Sequence, residues 1–574
     1  MMRDDSAASG TAGPTLGVEA SRGPSVLCRR DFFYGAILLL VWLSVSIPRL
    51  SGPIDLRWDA STYYVLGTAL AEGKGYRLLN EPGEIQAVQY PPLLPLFVAA
   101  HQWLMGTNDY FKVGSQLRIS YFLLSGLYLV TIYVLARRFL SPLFALSVGA
   151  MTALSFYSFL HPSDTLYAEL PFGLVSMLFL LFHQREDGPL RVILTGFLGA
   201  AAYLLRTAGI ALLVAWVGES VIRRRFRQAA LRIVISAIPI VIWQAHIWRV
   251  AGSEEYRNPV YPYQRAPYYY SNVTYGENSK LADSFRPELG RLRYDNLIRR
   301  IASNVAAVPL GLGESALVDS GFGIPGHWHK SSYLLKGCVI IAGVAAVAGC
   351  VLVATGPEWF MSLYFALMVG LVTLTPWQSQ FWRYFAPVTP ITLIFLILVL
   401  LGIRRWLNER SAQWARLRVG TLVVAPPIIG ILVIQAVVAI YFLRSLRPIS
   451  YYDASGRERS LRLLTYDSAW HSTDSAFEWI RRRAPANAIL ATAVPHFAYL
   501  RTGHKAVLPP FEIDPSVASS LLEQVPVNYI VLDRLHDPGI SERYAAPVVA
   551  QNPRNWRLVF TAPDKKTRVY ERAQ

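Results

Sequence analysis

Cysteine is scarce in this 574-residue chain: Cys28, Cys338 and Cys350 are the only ones, the last two inside one apolar run. Three thiols without metal-ligand spacing exclude a disulfide framework and a cysteine-built zinc site. Charge is thin as well, 16% Asp, Glu, Lys and Arg against 53% hydrophobic residues, which excludes an ordinary soluble protein of this length. A Gly-rich phosphate fingerprint and a repeat of solenoid period are both missing, which argues against an ATP-driven machine. The excess of 17 positive charges does not point to nucleic acid, because the arginines fall in short clusters between apolar runs with no nucleic-acid motif beside them.

Apolar runs are what the chain has in quantity, and its mean hydropathy is +0.31. A helix crosses the hydrocarbon core in roughly 20 residues, and about eleven candidate spans can be counted. They lie at 32–50, 115–136, 142–160, 165–183, 190–205, 208–222, 232–249, 333–354, 358–375, 384–403 and 419–442. Residues 1–28, rich in Ser, Ala, Gly and Thr, read as a disordered cytoplasmic tail. The first apolar run follows Arg29 and Arg30 without a small-residue cleavage site, so it reads as an uncleaved helix.

The Lys/Arg bias of the short loops sets orientation. Arg29 and Arg30, Arg137 and Arg138, Arg185 and Arg191, and the groups at 223–232 and 404–418 all fall on one side, the cytoplasm, provided 190–222 is a short helix pair. A transmembrane unit over 29–442 then carries two large outer loops, 51–114 and 250–332, and an extracytoplasmic domain follows at 443–574. The last segment alternates strand-like runs at 488–493, 529–533, 557–561 and 568–570 with helix-like stretches near 473–483 and 515–524, which is an α/β pattern. The fold class expected is therefore mainly α: a polytopic helical membrane bundle with a C-terminal α/β domain.

Chemistry on external substrates would be assembled where this outer mass gathers. Asp59, in Arg57-Trp58-Asp59-Ala60, follows the first span and is placed to take a proton from a hydroxyl, although Asp before Ala-Ser-Thr also suits a helix N-cap. Asp164 and Glu169 flank the start of the fourth span; Glu169 falls inside the apolar run, where an ionisable group is costly and either pairs with an arginine or serves a substrate. Arg206, at the turn of the short helix pair, and Arg383, before the tenth span, face the same side. Guanidinium groups at that level fork onto a phosphate or snorkel to the interface. Tyr63 and Tyr90 in the first loop, and Tyr268 and Tyr269 in the tyrosine-crowded second loop, suit a lid over a sugar or lipid, and equally an interfacial belt. His327-Trp328-His329 lacks a third ligand, so no metal is predicted.

An ordered set of short motifs stands out: Asp59 with Tyr63 and Ala69, Gly73-Lys74-Gly75, Tyr90-Pro91-Pro92, Ala168-Glu169-Leu170-Pro171, Leu205-Arg206, and Arg383-Tyr384 before Pro387 and Pro390. In order and sidedness, residues 32–403 resemble the GT-C superfamily of membrane glycosyltransferases, near the protein O-mannosyltransferases and the bacterial aminoarabinose transferases of lipid A. The resemblance implies a sugar donor carried on polyprenyl phosphate, an acceptor that is a lipid-linked glycan, polysaccharide or protein, and a bacterial-type plasma membrane with the site on the outer face. It carries the family's outer-loop carboxylate onto Asp59. Many relatives place two acidic residues in tandem there, whereas this chain has Asp59-Ala60, so a second carboxylate would have to come from Asp164 or Glu169. No metal or soluble cofactor is obligatory for such a donor. The rival reading is a secondary transporter or lipid flippase, which usually shows two related halves that this sequence lacks.

Overall fold

The computed structural model describes residues 29–183, 188–265, 271–318, 332–410, 419–452, 456–535 and 539–573. Six helices among them are long and apolar enough to span a membrane: Arg29–Arg49, Tyr110–Ala136, Phe226–Ala251, Tyr333–Ala354, Gln378–Arg410 and Gly420–Ser445. A seventh span arises if Pro142–Leu154 and Phe156–Asp164, bent by 72°, are taken together. The chain is thus an integral, multi-pass membrane protein, mainly helical. Glu169–His183, Pro189–Leu205, Thr207–Ile222 and Trp359–Thr373 are apolar helices but fall among those of 10–17 residues. At about 1.5 Å per residue they are shorter than a core about 30 Å thick, so among the described residues six or seven spans are found by length and composition and a count of eleven is not confirmed.

The bend has a local cause. Ser155 is extended (φ −66°, ψ 126°), ending one helix, and its side chain accepts from Ser158 N to open the next turn. The chain is thereby turned toward Asp164 and Thr165, and Thr165 bridges Asp55 in the first loop.

The segment 250–332 also holds more order than its polarity suggests, because Tyr294–Ala316 is a 23-residue helix. Two arginines early in it and Pro309, Gly311 and Gly313 late in it break the apolar run that would mark a span. Its glycines serve close packing on Ser332–Ala354: a Cβ on Gly313 would overlap the Val339 carbonyl oxygen, and one on Gly343 the Pro309 carbonyl oxygen. Small residues that let helix backbones touch are the usual means of association in lipid, where hydrophobic burial gives little drive.

The C-terminal region forms two sheets. Strands β1 (Pro448–Tyr452) and β2 (Glu458–Arg462) pair as a hairpin. Strands β3 (Ile489–Ala491), β4 (Lys505–Val507), β5 (Tyr529–Leu532), β6 (Trp556–Thr561) and β7 (Arg568–Arg572) make a mixed sheet of order β4-β3-β5-β7-β6. The β4 edge is closed by the first outer loop, since Ala506 N donates to Asn80 O at 2.8 Å and Asn80 Nδ2 to Ala506 O at 3.0 Å. Arg57 secures the same junction by donating to Leu464 O at 2.6 Å while stacking over Trp470.

Candidate active site

Asp59 is presented by a strained turn. The preceding residue, Trp58, has φ 56° and ψ −136°, a region that costs a non-glycine residue of order 1–3 kcal/mol and persists only where the surroundings over-determine it. Trp470 meets the Trp58 ring edge-on at 5.0 Å. On the other side, burial alone would lower the Arg57 guanidinium, but the Asp55 carboxylate at 2.5 Å outweighs it and raises its pKa. The helix Asp59–Ala71 starts at once, with no side-chain cap on its first turn. Asp59 is therefore not the N-cap that its sequence context allows. Its Oδ2 accepts from Arg383 Nη2 at 2.7 Å and its Oδ1 from the Tyr90 hydroxyl at 3.3 Å.

One turn along, Tyr63 meets Tyr90 edge-to-face at 5.2 Å. Burial above all, with Asp59 and Glu169 adding to it, pushes the Tyr63 phenol well above its ordinary range. Burial likewise takes Tyr275 up to about 12. Both enter the site as neutral hydroxyls.

Arg383 forks between two carboxylates, giving Nη2 to Asp59 and Nε to Glu169 Oε1 at 2.6 Å, with its cation 4.5 Å over the Tyr167 ring. Arg206 Nη1 lies 2.9 Å from the same Glu169 oxygen. That approach is off the hydrogen-bonding direction, so Nη1 is left without a hydrogen bond among the described residues. Its position follows from the turn between Pro189–Leu205 and Ile210–Ile222: a Cβ on Gly209 would come 2.5 Å from Ala202 C and Tyr203 N, so only glycine closes the turn this tightly. Exposure is graded from the floor outward: 3% for the Glu169 side chain, 20% and 21% for Arg383 and Arg206, and 35% for Asp59. Asp59 is thus the most exposed carboxylate of the cluster.

Asp59, Arg206, Arg383, Tyr63 and Tyr90 line one cavity of about 750 Å³. Glu169 sits beneath the arginines. Asp164 does not join them: at 2% exposure it accepts from Arg118 Nη1 at 3.1 Å and from Leu464 N at 3.2 Å. It clamps the C-terminal region to the bundle and, unlike Asp59, does not line the cavity. Tyr268, Tyr269, His327, His329 and the tail 1–28 lie outside the described residues. Sequence reasoning missed Tyr167, Asp283, Phe285, Arg286 and Trp377, which also face the cavity. None carried a local signal, because each sits in or beside a connection whose partner is distant in sequence.

No family model matches this chain, and no curated protein matches it in sequence. Among solved structures it is similar to the oligosaccharyltransferase AglB of Archaeoglobus fulgidus in complex with an inhibitory peptide and a dolichol-phosphate. The two are 13% identical, with 95% of this chain and 74% of that one covered and a TM-score of 0.52. The A. fulgidus oligosaccharyltransferase tethered to an acceptor peptide containing the NVT sequon gives 13% identity, the same coverage of 95% and 74%, and a TM-score of 0.50. ArnT from Cupriavidus metallidurans bound to undecaprenyl phosphate gives 14% identity over 94% of this chain and 97% of that one, with a TM-score of 0.41.

Proposed function

We propose that this chain, whose fold is that of the GT-C membrane glycosyltransferases, transfers a sugar from a polyprenyl-phosphate donor to a hydroxyl-bearing acceptor outside the cytoplasm. The observation that carries the reading is one cavity in which a carboxylate and two arginines converge, with Asp59 and Arg383 2.7 Å apart. Asp59 is the base. Arg206 and Arg383 hold the phosphate. Glu169 positions both arginines from below.

The step is a direct displacement with inversion. The acceptor oxygen forms the bond to the anomeric carbon as its proton passes to Asp59, and the bond from that carbon to the phosphate oxygen breaks with its electron pair going to the phosphate. The donor phosphodiester carries one negative charge and the departing polyprenyl phosphate two, so the charge Asp59 loses is the charge the phosphate gains. Both sit against Arg383, whose surroundings stay balanced through the reaction, and preorganised cations of this kind stabilise the leaving group without reorganisation.

Arg383 Nη2 donates to Asp59 Oδ2 at 2.7 Å. A phosphate entering between Arg206 and Arg383 competes for that donor and frees the carboxylate to meet the acceptor hydroxyl. On this reading the site works on the extracytoplasmic face of a bacterial-type plasma membrane, which the Lys/Arg bias of the short loops supports; lipid-linked sugars are available there and nucleotide sugars are not.

The test is reconstitution of the full chain in proteoliposomes with doubly labelled undecaprenyl-phosphate sugar and candidate acceptors. Expected is sugar transfer with equimolar release of undecaprenyl phosphate and an inverted anomeric centre by NMR. Movement of intact lipid between leaflets without release would favour a flippase, and retention of configuration would end the displacement mechanism.

A further inference from the structure

The cavity of about 750 Å³ is also lined by residues outside the cluster of Asp59 and the two arginines. Asp283, Phe285 and Arg286 come from the loop before the Tyr294–Ala316 helix, and Trp377 from the connection after the Trp359–Thr373 helix. Asp283 Oδ1 accepts from Phe285 N at 2.9 Å and from Trp377 Nε1 at 3.4 Å. Its Oδ2 has no hydrogen-bond partner among the described residues. The Phe285 and Trp377 rings lie 5.4 Å apart at 50° and form an aromatic corner next to Asp283.

The corner is held from both sides. Tyr544 of the C-terminal region donates to Phe285 O at 2.8 Å, and its ring stacks at 5.0 Å on Phe511, which lies against Phe285. Asn304 Nδ2 donates to Thr373 O and Thr375 O at 2.8 and 2.7 Å, fixing the connection that carries Trp377.

We propose that this corner is an acceptor subsite that takes a sugar ring, so that the acceptor is a glycan; the proposal rests on the glycosyltransferase reading. Aromatic faces cover the C–H surface of a pyranose or furanose. A carboxylate oxygen with a free lone pair accepts charge-assisted bonds from ring hydroxyls. Arg286, with no ion-pair partner among the described residues, donates to others. A peptide bound by strand addition would call instead for a free backbone edge. The cavity wall is made of side chains from helix ends and loops, and the β4 edge is already closed by Asn80.

The full chain in nanodiscs is tested against methyl glycosides of hexoses and pentoses and against short Ser/Thr peptides, with binding read by saturation-transfer NMR. Undecaprenyl phosphate binding is measured separately as a check on folding. Glycosides should saturate, weaken roughly tenfold in Asp283→Asn and in Trp377→Ala, the loss of one charge-assisted bond or one stacking face, and persist in Trp377→Phe. All variants should hold undecaprenyl phosphate as the parent does. The proposal is overturned if peptides saturate and glycosides do not, if neither variant weakens glycoside binding, or if undecaprenyl phosphate displaces the glycosides. Glycoside binding with this pattern but no sugar transfer in any condition would sink the glycosyltransferase reading and leave the subsite standing.

Discussion

Replacing Asp59 by Asn should abolish transfer and at the same time tighten donor binding. The carboxamide keeps an oxygen for Arg383 Nη2 and for Tyr90 but removes the charge that neutralises the guanidinium. At the 2.7 Å separation of Asp59 Oδ2 and Arg383 Nη2, the Coulomb attraction is about 6 kcal/mol for an effective dielectric near 20. With these side chains 35% and 20% exposed, solvent screening leaves about 1 kcal/mol, and a phosphate that no longer competes with Asp59 gains roughly fivefold in affinity. Loss of the base lowers the transfer rate by roughly 10²- to 10⁴-fold. Isothermal titration of undecaprenyl phosphate into the variant in nanodiscs gives the first quantity, and single-turnover transfer with saturating donor gives the second. A variant that binds donor more weakly than the parent would refute the competition for Arg383. One that transfers at the parental rate would remove Asp59 as base.

Glu169→Gln leaves two arginines over an uncharged floor; because Arg383 keeps Asp59 and Arg206 is 21% exposed, the loss should be about 2 kcal/mol, seen as a lower thermal unfolding midpoint. An unchanged midpoint would show that the cluster is not held from below. Gly209→Ala forces a Cβ to 2.5 Å from Ala202 C and Tyr203 N, costing about 1–3 kcal/mol. It should raise the donor KM several-fold by displacing Arg206, and an unchanged KM would place the phosphate elsewhere. Burial pushes the Glu81 carboxyl up to about 7 against the amides of Gln264 and Asn272 and the nearby Arg265. A raised acid contributes fully below about pH 4.3, the unfolded value, and its contribution is lost as pH rises through about 7, so the midpoint of Glu81→Gln should gain on the parent between pH 5 and pH 8; a constant difference would refute it. Trp470→Ala removes the ring that holds Trp58 and should slow transfer at unchanged donor affinity, whereas a parental rate would show that Trp58 is held without it.

The parts of this protein that were legible in the sequence are those written in local pattern. Apolar runs gave the helices, and strand-like runs near 489, 529, 556 and 568 gave most of the larger sheet. The arginine between two apolar runs gave the turn at Arg206, and an aspartate just past the first span gave Asp59. The missing parts depend on what lies opposite. Asp164 and Glu169 look equivalent five residues apart, yet one faces Arg118 and Leu464 and the other faces Arg206 and Arg383. The extended residue Thr165, which ends the short helix at Asp164 and bridges Asp55, separates them, and its partner lies in another loop. The Tyr294–Ala316 helix was hidden because its packing surface is glycine and proline, which a search for apolar length passes over. Asp283 and Trp377 are 94 residues apart and become one corner only through the fold.

The C-terminal region is part of the site's scaffold. A non-glycine residue at φ 56° relaxes unless both flanks resist, and Trp58 is held on one flank by Trp470 and on the other by Arg57, which is anchored on Leu464 O and Thr465 O. Those carbonyls belong to the same stretch whose Leu464 N is gripped by Asp164. The region therefore fixes the direction in which Asp59 enters the cavity, and through Tyr544 it also fixes the loop of Asp283 and Phe285. Base and acceptor corner are set by one body, while the arginines belong to the bundle. A small shift of that body on the bundle would change the distance from Asp59 to Arg383 and the distance from the acceptor corner to the donor phosphate together. On the proposed function, the C-terminal region therefore contacts both the segment that carries the base and the loop that carries the acceptor corner, the first through Leu464 and the second through Tyr544.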